Sequence, residues 1–576
     1  MLKLSWRSKL WNWTGFAKRE DQLTMLLSLV IGVVVGLTVV AFVLLTGRLA
    51  ARMYPPGGAA WRRMLVPVIG TLVSGYLLAR YFPNSRGSGI PQTKFALFIQ
   101  EGYISLRTVL GKFVCCSISL ASGIALGREG PSVQIGAGIA SVLGRHFGLT
   151  KASVKALVPV GCSAALAAAF NTPIAAVLFS LEEILGDLQA PVLGSVVLSA
   201  ATSWMVLHLF LGDEPLFHTP AWQLVNPLEF GIYAILGLIG GLASVCFVKL
   251  LLRLRVWFRQ LPPSTVWLQP AAGGVLMGVF GLFVPEVLGV GYDYIDHVLG
   301  GDFPLKTVAL LAVMKLIATP ACYSSGNAGG IFGPSLFIGA MVGGAVGSVA
   351  HTLLPHVTAN PGAYALVGMG AAFAGIVRTP LTSVIMIFEM TRDYSIIVPL
   401  MISNLVSFFI SQELQRHPIY EALALQEGVY LPTGESREEL AGIRVSEVMH
   451  ASVDPIPSEA GTDAAKLRLE KERCTSWPVG DGSYLRGVIS SHQIDTSDPP
   501  ANHIRDLIRN DASYPYVHAD HPLSYALEQM RDKNVDVVPV VSRANIHQMS
   551  GVVTLTDILS TYGIGTEAGA GAGAVK

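Results

Sequence analysis

Two kinds of apolar segment alternate along the first 425 residues. Runs at 22–47, 156–181, 188–212, 260–285 and 394–412 carry no Asp, Glu, Lys or Arg. A bilayer core takes about 20 apolar residues to cross as a helix, so each run predicts a spanning segment. The second kind is shorter, rich in Gly and interrupted by Pro: 87–100, 128–145, 173–186, 330–351 and 380–391. Helices broken inside a bilayer persist only where protein or a water-filled cavity satisfies their freed backbone groups. A functional site is therefore expected among these segments. After Tyr420 the pattern changes again. Residues 443–495 and 504–562 each read strand, helix, strand, strand, helix, and each ends in a Gly-Val run, GVIS at 487–490 and GVVT at 551–554. This predicts a pair of small α/β modules.

The broken segments repeat. Residues 127–137 read GREGPSVQIGA and residues 330–340 read GIFGPSLFIGA, an offset of 203. Residues 171–182, NTPIAAVLFSLE, match 378–389, RTPLTSVIMIFE, at an offset of 207. Two matched pairs in one order predict two homologous halves, at about 23–212 and 226–425. The sequence leaves their relative sense open. Inverted repeats are common in transporters and put the substrate site near mid-membrane where the halves meet.

Composition agrees with this division. Charged residues are 14% of the chain, against about 25% in soluble domains. Of the 79 charged residues, 34 lie from Glu427 onward. The expected layout is an interfacial segment over 1–22, a membrane domain over 23–425, modules at 443–495 and 504–562, and a disordered, low-complexity tail over 563–576. The first 20 residues mix three Trp with Lys3, Arg7, Lys9, Lys18 and Arg19. That mixture reads as a retained amphipathic stretch and places the N-terminus in the cytoplasm. A net charge of +1 gives no reason to expect a nucleic-acid partner. None of the six cysteines has metal spacing, and neither HExxH nor GxSxG occurs, so the chain is not read as an enzyme or as a metal protein.

The Gly-x-x-Gly-Pro segments suit an anion. A helix N-terminus offers free amides and a partial positive charge, enough to hold an anion without trapping it. Pro fits the first turn, and Gly lets the backbone approach an ion closely. A third such element, GSGIP at 87–91, adds the Ser88 hydroxyl. GSGIP, GREGP and GIFGP, in that order, with Tyr420 near the end of the membrane region, resemble the motifs of the CLC chloride channel and transporter family. The tail resembles the CBS-domain pair that many members carry. The fold class this implies is an all-α polytopic membrane protein with two homologous, inverted repeats and broken helices, followed by an α/β CBS pair.

By this resemblance, chloride would be held by the hydroxyls of Ser88 and Tyr420 and the amides of Ile331 and Phe332, with Arg128 and Gly130 contributing at the other repeat. Glu129 would be the gating glutamate, competing with chloride when ionised and carrying a proton when neutral. Glu183 would pass protons to and from the cytoplasmic side, as in proton-coupled members; the alternative is a voltage- or pH-gated channel on the same fold. Glu182 has a repeat partner in Glu389, so a structural cap is favoured there, whereas Glu183 faces Met390. Lys94 stands where some bacterial exchangers carry an acid, and Lys112 lies where the family has a lysine that raises the potential along the anion path. In the tail, Thr554 and Asp557 either hold the ribose of an adenosine nucleotide or cap a helix; no other cofactor is called for. The implied assembly is a homodimer in the bacterial inner membrane with both termini cytoplasmic, moving chloride and protons.

Overall fold

A computed structural model describes residues 20–55, 57–188, 190–217, 225–301, 303–427, 443–451, 453–472, 474–496, 503–508 and 514–561. The expected interfacial segment, apart from its last three residues, and the expected disordered tail lie outside these. The chain forms two compact units, 1–431 and 432–576.

The described residues of the first unit form seventeen α-helices. The first eight are α1 (Glu20–Met53), α2 (Ala60–Arg80), α3 (Ile90–Phe98), α4 (Leu106–Ala121), α5 (Glu129–His146), α6 (Lys151–Phe170), α7 (Pro173–Phe179) and α8 (Leu193–Leu211). The next eight are α9 (Glu229–Arg259), α10 (Gln269–Phe283), α11 (Tyr292–Gly300), α12 (Leu305–Ser324), α13 (Phe332–Leu353), α14 (Pro361–Val377), α15 (Pro380–Thr391) and α16 (Ile397–Leu414). The last is α17 (Ile419–Leu425). Each helix of the first set has its counterpart eight places on. The expected second half, 226–425, therefore closes early, at Leu414, and α17 stands outside the repeat. The uncharged run 156–181 is not one span: Asn171 takes a left-handed conformation, φ 60°, and Pro173 opens a new helix. By length and composition, eight helices among the described residues can cross a membrane, and the chain is a multi-pass membrane protein.

The halves are tied by reciprocal caps. The Glu182 carboxylate, just past α7, accepts from the amides of Leu381 (3.4 Å) and Thr382 (2.8 Å) at the start of α15. The Glu389 carboxylate, near the end of α15, accepts from the amides of Ile174 (3.0 Å) and Ala175 (2.7 Å) at the start of α7. Donors and acceptors correspond residue for residue at the offset of 207. Each acid meets the positive end of the other half's helix. The end of each helix thus meets the start of its equivalent, so α7 and α15 run antiparallel, as an inverted second half requires.

Within each half, glycines set the helix spacing. A Cβ on Gly136 would lie 2.2 Å from the Gly161 carbonyl oxygen, and one on the equivalent Gly339 would lie 2.3 Å from that of Gly368. Helices α5 and α6, and likewise α13 and α14, thus pack backbone to backbone, as small-residue faces allow in a bilayer.

The second unit contains α18 (Val445–Val448), β1 (His450–Ala451), α19 (Thr462–Glu472), β2 (Ser476–Asp481), β3 (Tyr484–Ser490), α20 (Ser491–Asp495), α21 (Leu523–Lys533), β4 (Val537–Val541), β5 (Met549–Thr554) and α22 (Leu555–Thr561). Its sheets run β1-β5-β4 and β2-β3. The expected first module, 443–495, loses its leading segment to the second. Val445 is buried with Val517, Leu523 and Val538, and β1 pairs with β5. Val445 finds its apolar neighbours there, so the two modules are interleaved.

Replacing Glu389 with Ala leaves two amides at the start of α7 without their acceptor. We expect a loss of about 1–3 kcal/mol, read as a lower unfolding midpoint in mild detergent. Glu182→Ala should cost a similar amount, because the two caps are equivalents.

Candidate functional site

The three glycine-rich loops meet where the halves meet. Gly127 and Gly330, equivalents in the repeat, exchange two backbone hydrogen bonds of 2.7 Å each, and the Gly329 amide donates to the Gly87 carbonyl at 3.3 Å. A Cβ on Gly130 would sit 2.7 Å from the Ser88 carbonyl oxygen and 3.3 Å from the Gly330 Cα. Ser88, Gly130 and the segment leading to Ile331 and Phe332 are thereby brought together. Helix α5 starts at Glu129 and α13 at Phe332. Their first-turn amides have no acceptor within the helix, so two helix N-termini face this junction.

Two hydroxyls assigned to the anion, Ser88 Oγ and Tyr420 Oη, are fully buried; the Tyr323 hydroxyl lies beside Ser88, and neither assigned hydroxyl makes a well-aligned hydrogen bond among the described residues. Two buried hydroxyls and two helix N-termini gathered at one junction are chemistry that suits an anion. Tyr420 lies on α17, which packs against α3. Phe332 takes the position in α13 that Glu129 takes in α5. Its ring lies among Phe170 (4.7 Å), Phe179 (5.6 Å) and Phe373 (4.3 Å).

Glu129 is fully buried. One carboxylate oxygen accepts a hydrogen bond from the Tyr292 hydroxyl, with Arg128 Nε 3.8 Å away. The other has no partner among the described residues. Tyr292 was not expected from the sequence. The available signal was GVGY at 289–292, which matches GSGI at 87–90 at an offset of 202. Gly87 and Gly89, and likewise Gly289 and Gly291, all have positive φ.

Lys112 is fully buried beside the Ser88 loop. Its ammonium donates to the carbonyls of Ser85 (3.1 Å) and Gly87 (2.7 Å), which fixes the loop that carries Ser88. Lys315, its equivalent, donates to Val287 (3.0 Å) and Gly289 (2.6 Å). Each half thus clamps its broken-helix loop with one buried lysine, and the second of these was also missed.

Glu183 lies apart from the junction, in a π-helical turn, Ser180–Leu185, at the end of α7. The equivalent stretch of α15 is ordinary α-helix. The widened turn sends Glu182 to its cap and Glu183 to Lys94, whose ammonium donates to it at 2.8 Å, with both side chains 7% exposed. Thr554 and Asp557 lie in the other unit. They form a reciprocal cap, Asp557 N donating to Thr554 Oγ1 at 3.1 Å and Thr554 N to Asp557 at 3.2 Å. The Asp557 carboxylate also contacts His450 at 3.0 Å.

The description "voltage gated chloride channel" belongs to the family model that matches residues 70–412, and a CBS-domain model matches 504–563. The chain belongs to the CLC family. This CLC chain is 32% identical over 413 residues to the H(+)/Cl(-) exchange transporter ClcA of Salmonella paratyphi B, covering 69% of this chain and 87% of that one. It is 35% identical over 354 residues to a putative chloride channel protein ClcB-like of Ralstonia nicotianae, covering 60% and 82%. Among solved structures it resembles a slow cyanobacterial Cl-/H+ antiporter, with TM-score 0.64, 28% identity, and 70% and 97% of the two chains covered. A eukaryotic CLC transporter, at TM-score 0.66 and 21% identity, covers 93% of this CLC chain and 98% of its own and shows the shared fold.

Lys94→Met would strip a buried carboxylate of its charge partner, a change that costs about 3–5 kcal/mol in comparable pairs. We expect Glu183→Gln in the same chain to recover most of that loss. Denaturation of the two single variants and the double variant in detergent measures it.

Proposed function

We propose that this chain exchanges chloride for protons across a cell membrane, as a homodimer with one anion pathway in each subunit and both termini in the cytoplasm. The observation that carries this is where the two-fold symmetry fails. Glu129 stands in place of Phe332 and Glu183 in place of Met390, and an acid buried in a membrane protein is expensive unless it is used. The names of the ClcA relative and of the cyanobacterial antiporter support the same reading.

In this reading chloride rests between the Ser88 and Tyr420 hydroxyls and the amides of Ile331 and Phe332, with Arg128 and Gly130 framing the approach past Glu129. The ionised Glu129 carboxylate competes with chloride for the helix N-termini, and its protonated form withdraws. Glu183 receives protons from the cytoplasmic side, so proton and chloride routes part below Glu129. One observation bears on the channel alternative: the Glu183 carboxylate is paired with the Lys94 ammonium at 2.8 Å, and a pair that stayed closed would pass no proton. Antiport requires that pair to open or to share its proton. The CBS pair would take an adenosine nucleotide at Thr554 and Asp557 only if Asp557 gave up its contact with His450.

Glu129→Gln imitates the protonated gate. Chloride flux should continue, uncoupled from protons and independent of pH. Glu183→Gln should also abolish proton movement yet keep pH-dependent chloride flux, because Glu129 still titrates from the other side. Vesicle assays with paired chloride and pH electrodes separate these outcomes, and coupled proton flux in either variant would refute the role assigned to that residue.

A further inference from the structure

Within each half the loop before the third helix carries Gly-x-Gly-x, and the two loops differ in where they place a hydroxyl. In the first half it is Ser88, between the glycines, with Ile90 following. In the second half Val290 takes the middle position and Tyr292 follows. The inverted repeat sends these loops to opposite helix N-termini. The Ser88 carbonyl lies against Gly130, while Val290 and the Tyr292 hydroxyl lie against Gly333, where a Cβ would come within 2.8 and 2.9 Å of them. The same Cβ would lie 3.1 Å from a Glu129 carboxylate oxygen. Gly333 therefore leaves room for a side-chain pair that has no counterpart in the other half.

Tyr292 is itself held in place. The Arg128 guanidinium stands 5.3 Å over its ring, and Phe217 meets the ring edge-on at 5.7 Å. Phe217 is fully buried and donates its amide to the Met390 carbonyl at 3.3 Å. A phenol fixed on its other sides and aimed at a carboxylate has one use for its proton, which is to donate it.

We propose that Tyr292 is the positioning residue of the gate: its hydroxyl holds the ionised Glu129 carboxylate in a parked conformation and sets how readily a proton releases it. This rests on the reading of Glu129 as the gate. A hydrogen bond from a neutral donor strengthens when the acceptor is charged, so Tyr292 favours the ionised, parked gate over the protonated, withdrawn one. The other charged or titratable groups around the pair are few. Arg128 lies on the gate's own element. Lys315 approaches from α12 but is spent on the carbonyls of Val287 and Gly289. Asp293 neighbours Tyr292 in the chain, and Tyr420 lies across the junction. The Tyr292 hydroxyl donates directly to the Glu129 carboxylate.

Tyr292→Phe keeps the ring, its contact with Phe217 and the stacked Arg128, and removes only the donor. In reconstituted vesicles the chloride flux of this variant should reach half-maximum about one pH unit higher than in the unaltered protein. At a fixed pH on that slope, flux should rise up to about tenfold. In a Glu129→Gln background there is no carboxylate to park, and adding Tyr292→Phe should leave flux unchanged. An unshifted pH profile would overturn the proposal. So would an equal change of flux in the Gln background, because the ring would then act only through packing. The single Glu129→Gln variant reads the gate by itself: if its flux stays pH-dependent, the gating reading fails, and the Tyr292 assignment falls with it for that separate reason.

Discussion

The membrane unit depends on a backbone contact, the two-bond bridge between Gly127 and Gly330. Helices that stop inside a bilayer leave amides with nothing to bind. Here the stops of both halves are brought to one place and joined through their own equivalent residues. The bridge aligns the starts of α5 and α13 on a common junction, and glycine suits this close approach because a Cβ on Gly330 would lie 3.0 Å from the Gly130 nitrogen, tighter than most Cβ contacts. Remaining unsatisfied amides then face inward together, and their partial positive charge gathers at the interface of the halves beside the Arg128 guanidinium. The buried lysines near the junction serve the loops: Lys112 and Lys315 neutralise carbonyls at the far side of each turn.

Symmetry builds this frame, and departures from symmetry supply the chemistry. Glu182 and Glu389 cap each other's helices as equals and are structural. Glu129, Glu183, Ser88 and Tyr292 each face an apolar counterpart: Phe332, Met390, Val290 and Ile90. A symmetric pore would offer an anion the same surroundings from both sides. The asymmetric substitutions put a hydroxyl, Ser88, on one side of the junction and a carboxylate with its own donor, Glu129 with Tyr292, on the other. The π-helical turn at Ser180–Leu185 follows the same logic, because widening one copy of the repeat lets two adjacent acids point to different partners.

Much of this was legible in the sequence because the broken helices carry their own punctuation. Gly-x-x-Gly-Pro marks a helix start, and its recurrence at an offset of 203 revealed the halves and placed Glu129 opposite Phe332. What escaped notice depends on contacts between distant residues or on weak matches. Only two glycines link GVGY to GSGI, so Tyr292 was not singled out. Lys315 lay at the edge of a long uncharged stretch and was not paired with Lys112. Glu183 and Lys94 are 89 residues apart, and no local pattern announces an ion pair between them. In the tail, module boundaries drawn from periodicity missed that Val445 and β1 belong to the second module, because strand exchange between modules leaves no mark in either strand.

Whether protons move with chloride is the central question, and one vesicle experiment addresses it directly. Vesicles loaded with high chloride are placed in low-chloride medium at equal pH, and external pH is recorded as chloride leaves. Passive chloride exit makes the interior positive, which opposes proton entry. The exchange mechanism predicts that protons nevertheless enter and the medium turns alkaline in step with chloride efflux. Chloride efflux at constant external pH would contradict it and make the protein a channel.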